Sequence, residues 1–222
     1  MSEPSSTHRI FIAGGTGYIG RRLIPELVQR GHEVHALARQ GSEQKLPPGC
    51  TVVVGNALDH TSYVEQIQPA DTFVHLVGVA HPSPAKAAEF RTIDLASAHE
   101  AVVAAVAAGI QHFVYVSVAQ PAPAMKAYVQ ARAEGEGLIR ERGLNATILR
   151  PWYVLGPGHR WPYALVPLYW VLERLPSTRE TARRLGLVTL PQMVHTLRHA
   201  VEHPCQGIRI VEVAQIRKEG SE

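Results

Sequence analysis

The glycine-rich turn near the N-terminus is the feature that most constrains how this chain folds. Glycines stand at positions 14, 15, 17 and 20, directly after a short apolar run, Arg9–Ala13. Beyond the turn, apolar residues recur at helical spacing over residues 18–30, and Gly31 follows them. An apolar run that ends in glycine predicts a buried strand, and the recurring apolar positions predict an amphipathic helix with a glycine cap. The turn therefore joins a strand to a helix.

Three of these glycines have separate tasks in a strand–turn–helix unit that binds phosphate. Gly14 permits the tight turn out of the strand, Gly17 lets the backbone approach a pyrophosphate, and Gly20 lets the helix pack closely on the sheet. The free N–H groups at the start of the helix then face the negative charge. The alternative is a tight turn without a ligand. The residues predicted to bind the pyrophosphate of a dinucleotide are Gly14, Thr16, Gly17, Tyr18, Ile19 and Gly20.

Strand and helix patterns alternate along residues 9–151. The predicted strands are 9–13, 32–39, 50–54, 71–77, 112–117 and 145–149. The clearest predicted helices are 18–30, 85–108 and 124–142, and a short helix is expected at 59–68. Such alternation with short connections implies right-handed crossovers and a parallel sheet covered by helices. The predicted fold class is α/β: a Rossmann-like, doubly wound parallel sheet with helices on both faces and a small C-terminal cap.

The same patterns predict how the chain is divided. Residues 1–8 are expected to be a disordered leader, residues 9–151 the dinucleotide-binding core, and residues 152–217 a small cap integrated with the core. The cap region is predicted to hold a helix at 191–203 and a last strand at 208–213, and residues 218–222 a frayed tail. Its aromatic cluster either covers the open end of the sheet or suits a flat apolar substrate, a partner or a membrane interface. The cluster comprises Trp152, Tyr153, Trp161, Tyr163, Tyr169 and Trp170.

Composition excludes several classes of function. The 222 residues carry a formal charge of +3 without a run of basic residues, so nothing indicates nucleic-acid binding. No apolar stretch approaches the roughly 20 residues that span a bilayer, and the polar N-terminus lacks a signal-peptide pattern. We therefore expect a cytoplasmic protein without an integral membrane segment. Two isolated cysteines and scattered histidines show no metal-ligand spacing, so no metal is predicted.

The end of the second predicted strand indicates which dinucleotide binds. An acidic residue about 20 positions after the turn would bond the ribose 2′-hydroxyl of NAD. Here the strand ends in Arg39 without an acid, and a guanidinium suits a 2′-phosphate. Arg21 and Arg22 add positive charge at the start of the first helix. NADP(H) is the predicted cofactor and NAD(H) the second choice, while an ordinary surface role is the alternative for Arg39.

These motifs resemble the short-chain dehydrogenase/reductase superfamily. The resemblance is closest to its atypical and extended branches, which include NmrA-like and NAD-dependent epimerase/dehydratase-like proteins, and it covers residues 9–160. Besides the glycine turn, the segments that carry it are 55–59, 75–79, 113–117 and 149–158. It implies that Asn56 and Ala57 lie at the adenine, Val77 and Gly78 along the cofactor, and Pro151 beside the nicotinamide. Asn56 replaces the family's usual aspartate, and its amide can still bond the adenine edge.

The resemblance also implies a catalytic pair on the helix after the fifth strand. The family pattern is Tyr-x-x-x-Lys, and this chain has Tyr128 and Arg132, which share one helix face. Tyr128 would exchange a proton with a substrate carbonyl or alcohol, and Arg132 would take the catalytic role of the family's lysine. Either Ser117 supplies the family's third polar group or the hydroxyl is missing, because Val118 and Ala119 occupy the positions where it often stands.

Three interpretations of the function remain open at this level. The first is an NADP(H)-binding oxidoreductase or epimerase-like enzyme acting on a small carbonyl or alcohol, with Tyr128 as proton donor or acceptor. The second is a non-catalytic NADP(H)-binding redox sensor or an assembly or regulatory protein, suggested by Arg132 and the uncertain serine. A quinone-handling protein near a membrane is a third, weaker reading of the aromatic cluster. The short region after Pro151 disfavours a nucleotide-sugar substrate, and a helix pair on the sheet flank could form a homodimer.

Overall fold

A computed structural model of the chain describes residues 7–157 and 179–220. It contains a large sheet and a small one. The strands are β1 (Arg9–Ala13), β2 (Glu33–Ala38), β3 (Thr51–Val54), β4 (Thr72–His75), β5 (His112–Val116), β6 (Ala146–Arg150), β7 (Tyr153–Leu155), β8 (Leu187–Thr189) and β9 (Ile208–Glu212). The helices are α1 (Gly20–Gln29), α2 (Ala87–Glu89), α3 (Ala96–Ala107), α4 (Lys126–Glu141), α5 (Arg179–Arg184), α6 (Leu190–Glu202) and α7 (Val213–Glu219).

The large sheet is parallel throughout, with the order β3-β2-β1-β4-β5-β6-β9. The chain begins in the middle, runs outward through β2 and β3, and then crosses back over β1 to β4. The direction of winding therefore reverses between β1 and β4. Ligands of doubly wound sheets bind at the carboxyl ends of the strands beside this reversal. The predicted fold class is confirmed.

Helices cover both faces of the sheet because its strands are apolar on both sides. In β1, Ile10 and Ile12 face one core, which α1 and α6 close, and Phe11 and Ala13 face the other, which α3 and α4 close. Successive side chains of a strand point to opposite faces, so a nearly continuous apolar run is what a sheet buried on both faces requires.

The predicted helix 85–108 is interrupted in the structure. After the single turn of α2, the chain forms a π-helical turn, Phe90–Leu95, before α3 begins. The wider turn buries both Phe90 and Asp94. Alanine-rich sequence favours an uninterrupted α-helix. At this departure from the regular helix, the Asp94 side chain makes a tertiary contact with Arg132.

Two other segments differ from expectation. Instead of the short helix proposed for residues 59–68, the chain forms two 3-10 turns, His60–Ser62 and Val64–Gln66. The Asp59 carboxylate favours the first turn by accepting a hydrogen bond from the Thr61 amide at 3.1 Å. Short polar segments offer too few periodic positions to separate these alternatives.

The C-terminal segment is more ordered than the predicted frayed tail. Helix α7 runs to Glu219, and the prediction is therefore wrong for residues 218 and 219. A capping box between Glu212 and Gln215 starts the helix, and buried Ile216 anchors it to the core. The residues that follow position 220 lie outside the described part.

The chain after residue 152 contributes to both sheets. Strand β9 pairs with β6 at the edge of the large sheet, and β7 pairs with β8 in the small one. The domain limits 9–151 and 152–217 stay a prediction. Trp152 and Tyr153 are half-buried with their rings 5.6 Å apart, whereas the other four aromatic residues of the predicted cluster, and residues 1–6 of the predicted leader, lie outside the described residues. Within the described part, every helix is too short or too polar to cross a membrane.

A buried carboxylate ties α4 to β5 and β6. Glu136 is 1% exposed and accepts hydrogen bonds from the Ser117 hydroxyl at 2.7 Å and from two nitrogens of Arg150 at 2.6 and 2.9 Å. Arg150 also pairs with Glu212 at 3.0 Å. Burial alone would raise the pKa of Glu136, but the hydrogen bonds from Arg150, Ser117 and Arg140 outweigh it and hold that pKa below its ordinary value.

We expect this network to make the protein acid-sensitive. Because the pKa of Glu136 is lower in the folded chain than its unfolded value of about 4.3, the stabilisation is present above that value and is lost as the pH falls through the folded pKa. Glu136→Gln should lower the free energy of unfolding at neutral pH by about 3 kcal/mol, since Arg150 then keeps only Glu212 as a carboxylate partner. The substitution should also flatten the dependence of stability on pH in the acid range. Urea unfolding across the acid range measures both effects.

The matched control is Glu141→Gln at the exposed end of the same helix. This control should change the free energy of unfolding by less than about 0.5 kcal/mol. An equal acid dependence in Glu136→Gln and the unsubstituted protein would contradict the prediction.

Candidate dinucleotide site

The glycine turn lies at the reversal point of the sheet, against the chain that leaves β4. Gly14 has a φ of +91°, a conformation that side chains with a Cβ rarely adopt. A Cβ at this position would lie 2.7 Å from the carbonyl carbon of Leu76 and 2.9 Å from the amide nitrogen of Val77. Both the backbone angle and the contact therefore require glycine at position 14.

The other two glycines serve the turn itself. The Gly17 amide donates to the Gly14 carbonyl at 3.0 Å and closes the turn. A Cβ on Gly20 would lie 2.6 Å from both the Gly14 oxygen and the Cα of Gly15. The absence of a side chain at Gly20 thus makes room for the turn, rather than for contact between the helix and the sheet as the sequence had suggested.

The turn offers hydrogen-bond donors at the start of α1. In residues 7–157 and 179–220, the main-chain amides of Thr16 and Ile19 have no hydrogen-bond acceptor. Unpaired amides and the positive end of the helix dipole together form a cradle for phosphate oxygens. A glycine lining that a Cβ would fill and unpaired donors beside it both fit a pyrophosphate.

The first turn of α1 is also rich in positive charge. It contains no acidic residue, and Arg21 and Arg22 are both exposed there. Cations at a helix N-terminus are unfavourable by about 0.3–1 kcal/mol each. An anion bound at this surface would offset that unfavourable interaction. A cleft of about 370 Å³ lies beside them, lined by Tyr18, Arg21, Arg22, Pro157 and Leu190.

Arg39 and the segment after β3 flank the other side of the turn. Arg39 is exposed, immediately after β2, and its guanidinium pairs with no residue of the described part of the chain. Asn56 is also exposed; its side-chain oxygen accepts from the Leu58 amide at 3.1 Å, which leaves the side-chain NH₂ as the available donor. Ala57 is half-buried against the core. These positions are neighbours because β2 and β3 are adjacent and parallel.

A carboxylate that the sequence did not reveal holds the segment after β3. Glu100 of α3 accepts from the His60 amide at 3.0 Å, and its Oε2 lies 2.6 Å from Nδ1 of the same histidine. Burial would raise the pKa of Glu100, but the contacts with His60 and His99 outweigh it and lower that pKa to about 2. The alternating polar residues of an alanine-rich helix gave no signal for this role.

At the opposite end of the site, Arg132 joins the ends of β4 and β5. It is 5% exposed, and its Nη1 donates to the Val116 carbonyl at 2.9 Å. Its Nη2 donates to the Val77 carbonyl at 3.2 Å and to Oδ1 of Asp94 at 2.6 Å. Asp94 is fully buried, and its Oδ2 accepts from the Val79 amide at 3.0 Å.

The charges of Arg132 and Asp94 depend on one another. Burial raises the pKa of Asp94, and the neighbouring guanidinium of Arg132 and the Val79 amide oppose that rise. Arginine keeps its proton inside proteins, so it supplies the counter-charge. His75, buried nearby at the end of β4, has its pKa lowered to about 3, first by burial and then by the charge of Arg132, and is therefore neutral at physiological pH.

The structure brings Tyr128, Arg132 and Gly78 together. The Tyr128 ring is half-buried; its centroid lies 5.4 Å from Cζ of Arg132 and 5.0 Å from the ring centroid of Phe90. This distance to the guanidinium is typical of a cation–π contact. A Cβ on Gly78 would collide with Nη2 of Arg132 and lie 3.0 Å from Oδ1 of Asp94, so a side chain at position 78 would displace the guanidinium of Arg132.

Ser117 has a different environment. Its hydroxyl is buried and donates to Glu136, which lies two helical turns beyond Tyr128 on α4. The following residues, Val118 and Ala119, are buried and apolar, and the Ala119 amide donates to the carbonyl of buried Pro151 at 2.9 Å. The catalytic role of Ser117 stays a prediction, as do the roles assigned to the other site residues.

With this geometry in place, comparison with known proteins identifies the class. The model of the NAD(P)H-binding family matches residues 14–162, and the chain belongs to that family. The predicted resemblance to short-chain dehydrogenase/reductase and epimerase-like proteins is confirmed. The match to this family does not distinguish NAD from NADP as the cofactor of this chain.

Among curated proteins, the chain is similar to reductases and dehydrogenases. It is 25% identical to a ceramide reductase of Caulobacter vibrioides, covering 95% of this chain and 66% of that protein. It is 32% identical to a 3-diazoavenalumate denitrifying reductase of a Streptomyces species, covering 68% and 57%. It is 29% identical to a 3-beta-hydroxysteroid dehydrogenase of Mycolicibacterium neoaurum, covering 49% and 31%. The chain thus spans less than two thirds of the length of these relatives.

Solved structures share the fold at low identity. The Bordetella bronchiseptica enzyme WbmH in complex with NAD+ superposes with a TM-score of 0.68 at 22% identity, covering 97% of this chain and 80% of that one. UDP-N-acetylglucosamine 4-epimerase from Bacillus cereus gives 0.67 at 15% identity, covering 93% and 76%.

The glycine turn allows a test with a matched control. Gly14→Ala and Gly31→Ala both place a side chain at positive φ, which costs roughly 1–2 kcal/mol, but only position 14 also meets neighbouring backbone, whereas nothing lies within 4 Å at position 31. We expect Gly31→Ala to lower stability and keep dinucleotide affinity, and Gly14→Ala to lose both. Urea unfolding and fluorescence titration with NADPH and NADH measure them. Wild-type affinity in Gly14→Ala would refute the assigned site.

Proposed function

We propose that the protein is an NADP(H)-dependent oxidoreductase or epimerase-like enzyme that acts on a carbonyl or alcohol. The observation that carries the proposal is the half-buried Tyr128, held against Arg132 beside the ends of β4 and β5. The Tyr128 phenol thus lies near Val77 and Gly78, the segment along which the family resemblance places the cofactor. Reductases and dehydrogenases among the relatives support the same class of reaction.

The residues present fit a dinucleotide, and each would hold a different part of it. The amides of Thr16 and Ile19 and the N-terminus of α1 would bind the pyrophosphate. The side-chain NH₂ of Asn56 would donate to the adenine edge. Arg39, exposed and without a partner in the described residues, supports NADP(H), because a guanidinium fork matches a 2′-phosphate.

The chemistry divides between cofactor and protein. When bound, the nicotinamide supplies or accepts the hydride. The Tyr128 hydroxyl gives a proton to the carbonyl oxygen in reduction, or takes one from the alcohol in oxidation. Arg132 keeps the ring of Tyr128 in place through its charge, and Gly78 leaves space beside the pair.

The preference for NADP(H) can be tested at Arg39. Arg39→Gln should weaken NADPH binding by about 10- to 100-fold, the equivalent of losing a charge-assisted hydrogen bond, and should leave NADH binding unchanged because NADH lacks the 2′-phosphate. Isothermal titration calorimetry with both cofactors measures the ratio of the two dissociation constants. Arg142→Gln, an exposed arginine after α4, is the control and should alter neither. An equal loss for NADH would assign Arg39 another role.

A non-catalytic NADP(H)-binding protein, such as a redox sensor or an assembly factor, is the second candidate. Two observations favour it. The two terminal nitrogens of Arg132 donate to Val77, Val116 and Asp94, and the Ser117 hydroxyl donates to Glu136. In this case the chain would bind both redox forms of the cofactor and transfer no hydride.

Turnover separates the two candidates. We expect NADPH oxidation with at least one member of a carbonyl panel that includes small ketones, a quinone, a steroid 3-ketone and a ceramide-derived ketone. Tyr128→Phe should reduce that rate on the order of 10²-fold or more while NADPH affinity stays the same, because only the proton donor is removed. A panel without turnover but with tight NADPH binding would favour the sensor, and an unchanged rate in Tyr128→Phe would exclude the proposed mechanism.

We also propose that the protein is cytoplasmic and that it forms a homodimer through the helices on the flank of the sheet. Cell fractionation and light scattering of the purified chain would test them.

A further inference from the structure

A second cleft opens beside the start of α4, on a different face of this helix from Tyr128. In the described part of the chain, the cleft has a volume of about 520 Å³. It is lined by residues 120–122 of the loop after β5, by Lys126, Val129 and Gln130 of α4, and by Arg150 at the end of β6. A cavity of this size can hold a small organic molecule.

The segments that form this cleft also carry the predicted catalytic residues. The loop residues 120–122 begin three positions after Ser117, the residues of α4 lie on either side of Tyr128 in sequence, and Arg150 immediately precedes Pro151. All three segments lie at the carboxyl edge of the parallel sheet, where ligands of doubly wound folds bind. A substrate whose carbonyl group meets Tyr128 can therefore extend into the cleft.

The two cations at the cleft differ in their partners. Arg150 donates through all three of its guanidinium nitrogens, to Glu136 through two and to Glu212 through one, so its charge is balanced inside the protein. Lys126 is exposed, and no hydrogen bond or ion pair joins its ammonium to another residue of the described part of the chain. The cleft therefore presents one positive charge that the surrounding side chains do not balance.

The rest of the lining indicates what kind of ligand would fit beside this charge. Pro121, Ala122 and Val129 give the cleft an apolar wall. Lys126 is the first residue of α4, whose first turn has no acidic side chain, and a cation at this end of a helix opposes the helix dipole. An anion next to Lys126 would offset that unfavourable interaction. The cleft thus suits a molecule with an apolar body and an anionic end.

We propose that Lys126 binds the anionic group of an elongated substrate whose carbonyl group meets Tyr128. The two side chains leave α4 about 200° apart around its axis, and a helix with its side chains is about 10–12 Å wide. The anion and the reacting carbon are therefore separated by roughly 10 Å, a distance that excludes short oxo acids. The inference deepens the proposed function, on which it rests, by naming the class of substrate.

The first experiment measures NADPH oxidation with two pairs of ketones. Acetylbiphenyl carboxylate carries its acetyl and carboxylate groups at opposite ends of the rings, and its carboxamide has nearly the same shape without the charge. We expect the KM of this carboxylate to be about 3- to 10-fold lower than that of the carboxamide, as for a partly exposed contact between charges. The shorter acetylbenzoate and its carboxamide should differ less. Equal KM values for the long pair would overturn the proposal.

Substitution of Lys126 tests whether this residue causes the preference. Lys126→Gln should abolish the difference in KM between the long carboxylate and its carboxamide, and Lys126→Glu should make the carboxamide the better substrate. Lys218→Gln, which removes an exposed lysine of α7, is the control and should keep the preference of the unsubstituted protein. A preference for the carboxylate that persists in Lys126→Gln would assign the anion to other groups and contradict the proposal.

Calorimetry separates this inference from the proposed function. Turnover of the carboxamides without any preference for the long carboxylate would keep the proposed function and reject the role of Lys126. If no ketone is turned over, the proposed enzyme activity fails, and titration of the long pair into the chain with NADPH present decides the rest. Tighter binding of the carboxylate that is lost in Lys126→Gln would support the anion site, whereas equal affinity or no binding would overturn it.

Discussion

Close packing of the glycine turn on the chain that leaves β4 is the constraint on which the rest of the site depends. Gly14 meets Leu76 and Val77 at distances that leave no room for a Cβ. The same contact sets where β1 ends relative to β4, and so where the N-terminus of α1 points. Because the sheet reverses its winding here, the amides of the turn and the ends of β4 and β5 open onto one crevice.

Opposite charges on α4 organise the far side of that crevice. Arg132 and Glu136 are separated by one helical turn and both are buried, so each needs a partner to offset its desolvation. Asp94 balances the first, and Arg150 balances the second. The predicted catalytic residues lie in two separate clusters. The Tyr128 ring contacts Arg132, and the Ser117 hydroxyl donates to Glu136. Tyr128 and Ser117 are therefore held by different interactions.

Much of the fold and part of the site could be predicted from the residues in order along the chain. Strand and helix periods, and glycines at special positions, are local signals, so the first six strands of the sheet and the glycine turn were recognisable. Asp94 and Glu100 were not, because polar residues in an alanine-rich segment predict a solvated helix face. The burial of Asp94 accompanies a π-helical turn, and both carboxylates meet partners about 40 residues away along the chain. Three-residue strands such as β7 likewise carry no period that sequence could show.

The sequence by itself determined the fold class, the position of the glycine turn and the shared helix face of Tyr128 and Arg132, because these follow from backbone periodicity and from glycine's lack of a Cβ. Tertiary structure alone decided which charges meet. Arg132 could have faced solvent or a ribose on sequence grounds. It faces Asp94 because a buried guanidinium in this fold needs a carboxylate, and the crossover between β4 and β5 brings one to it.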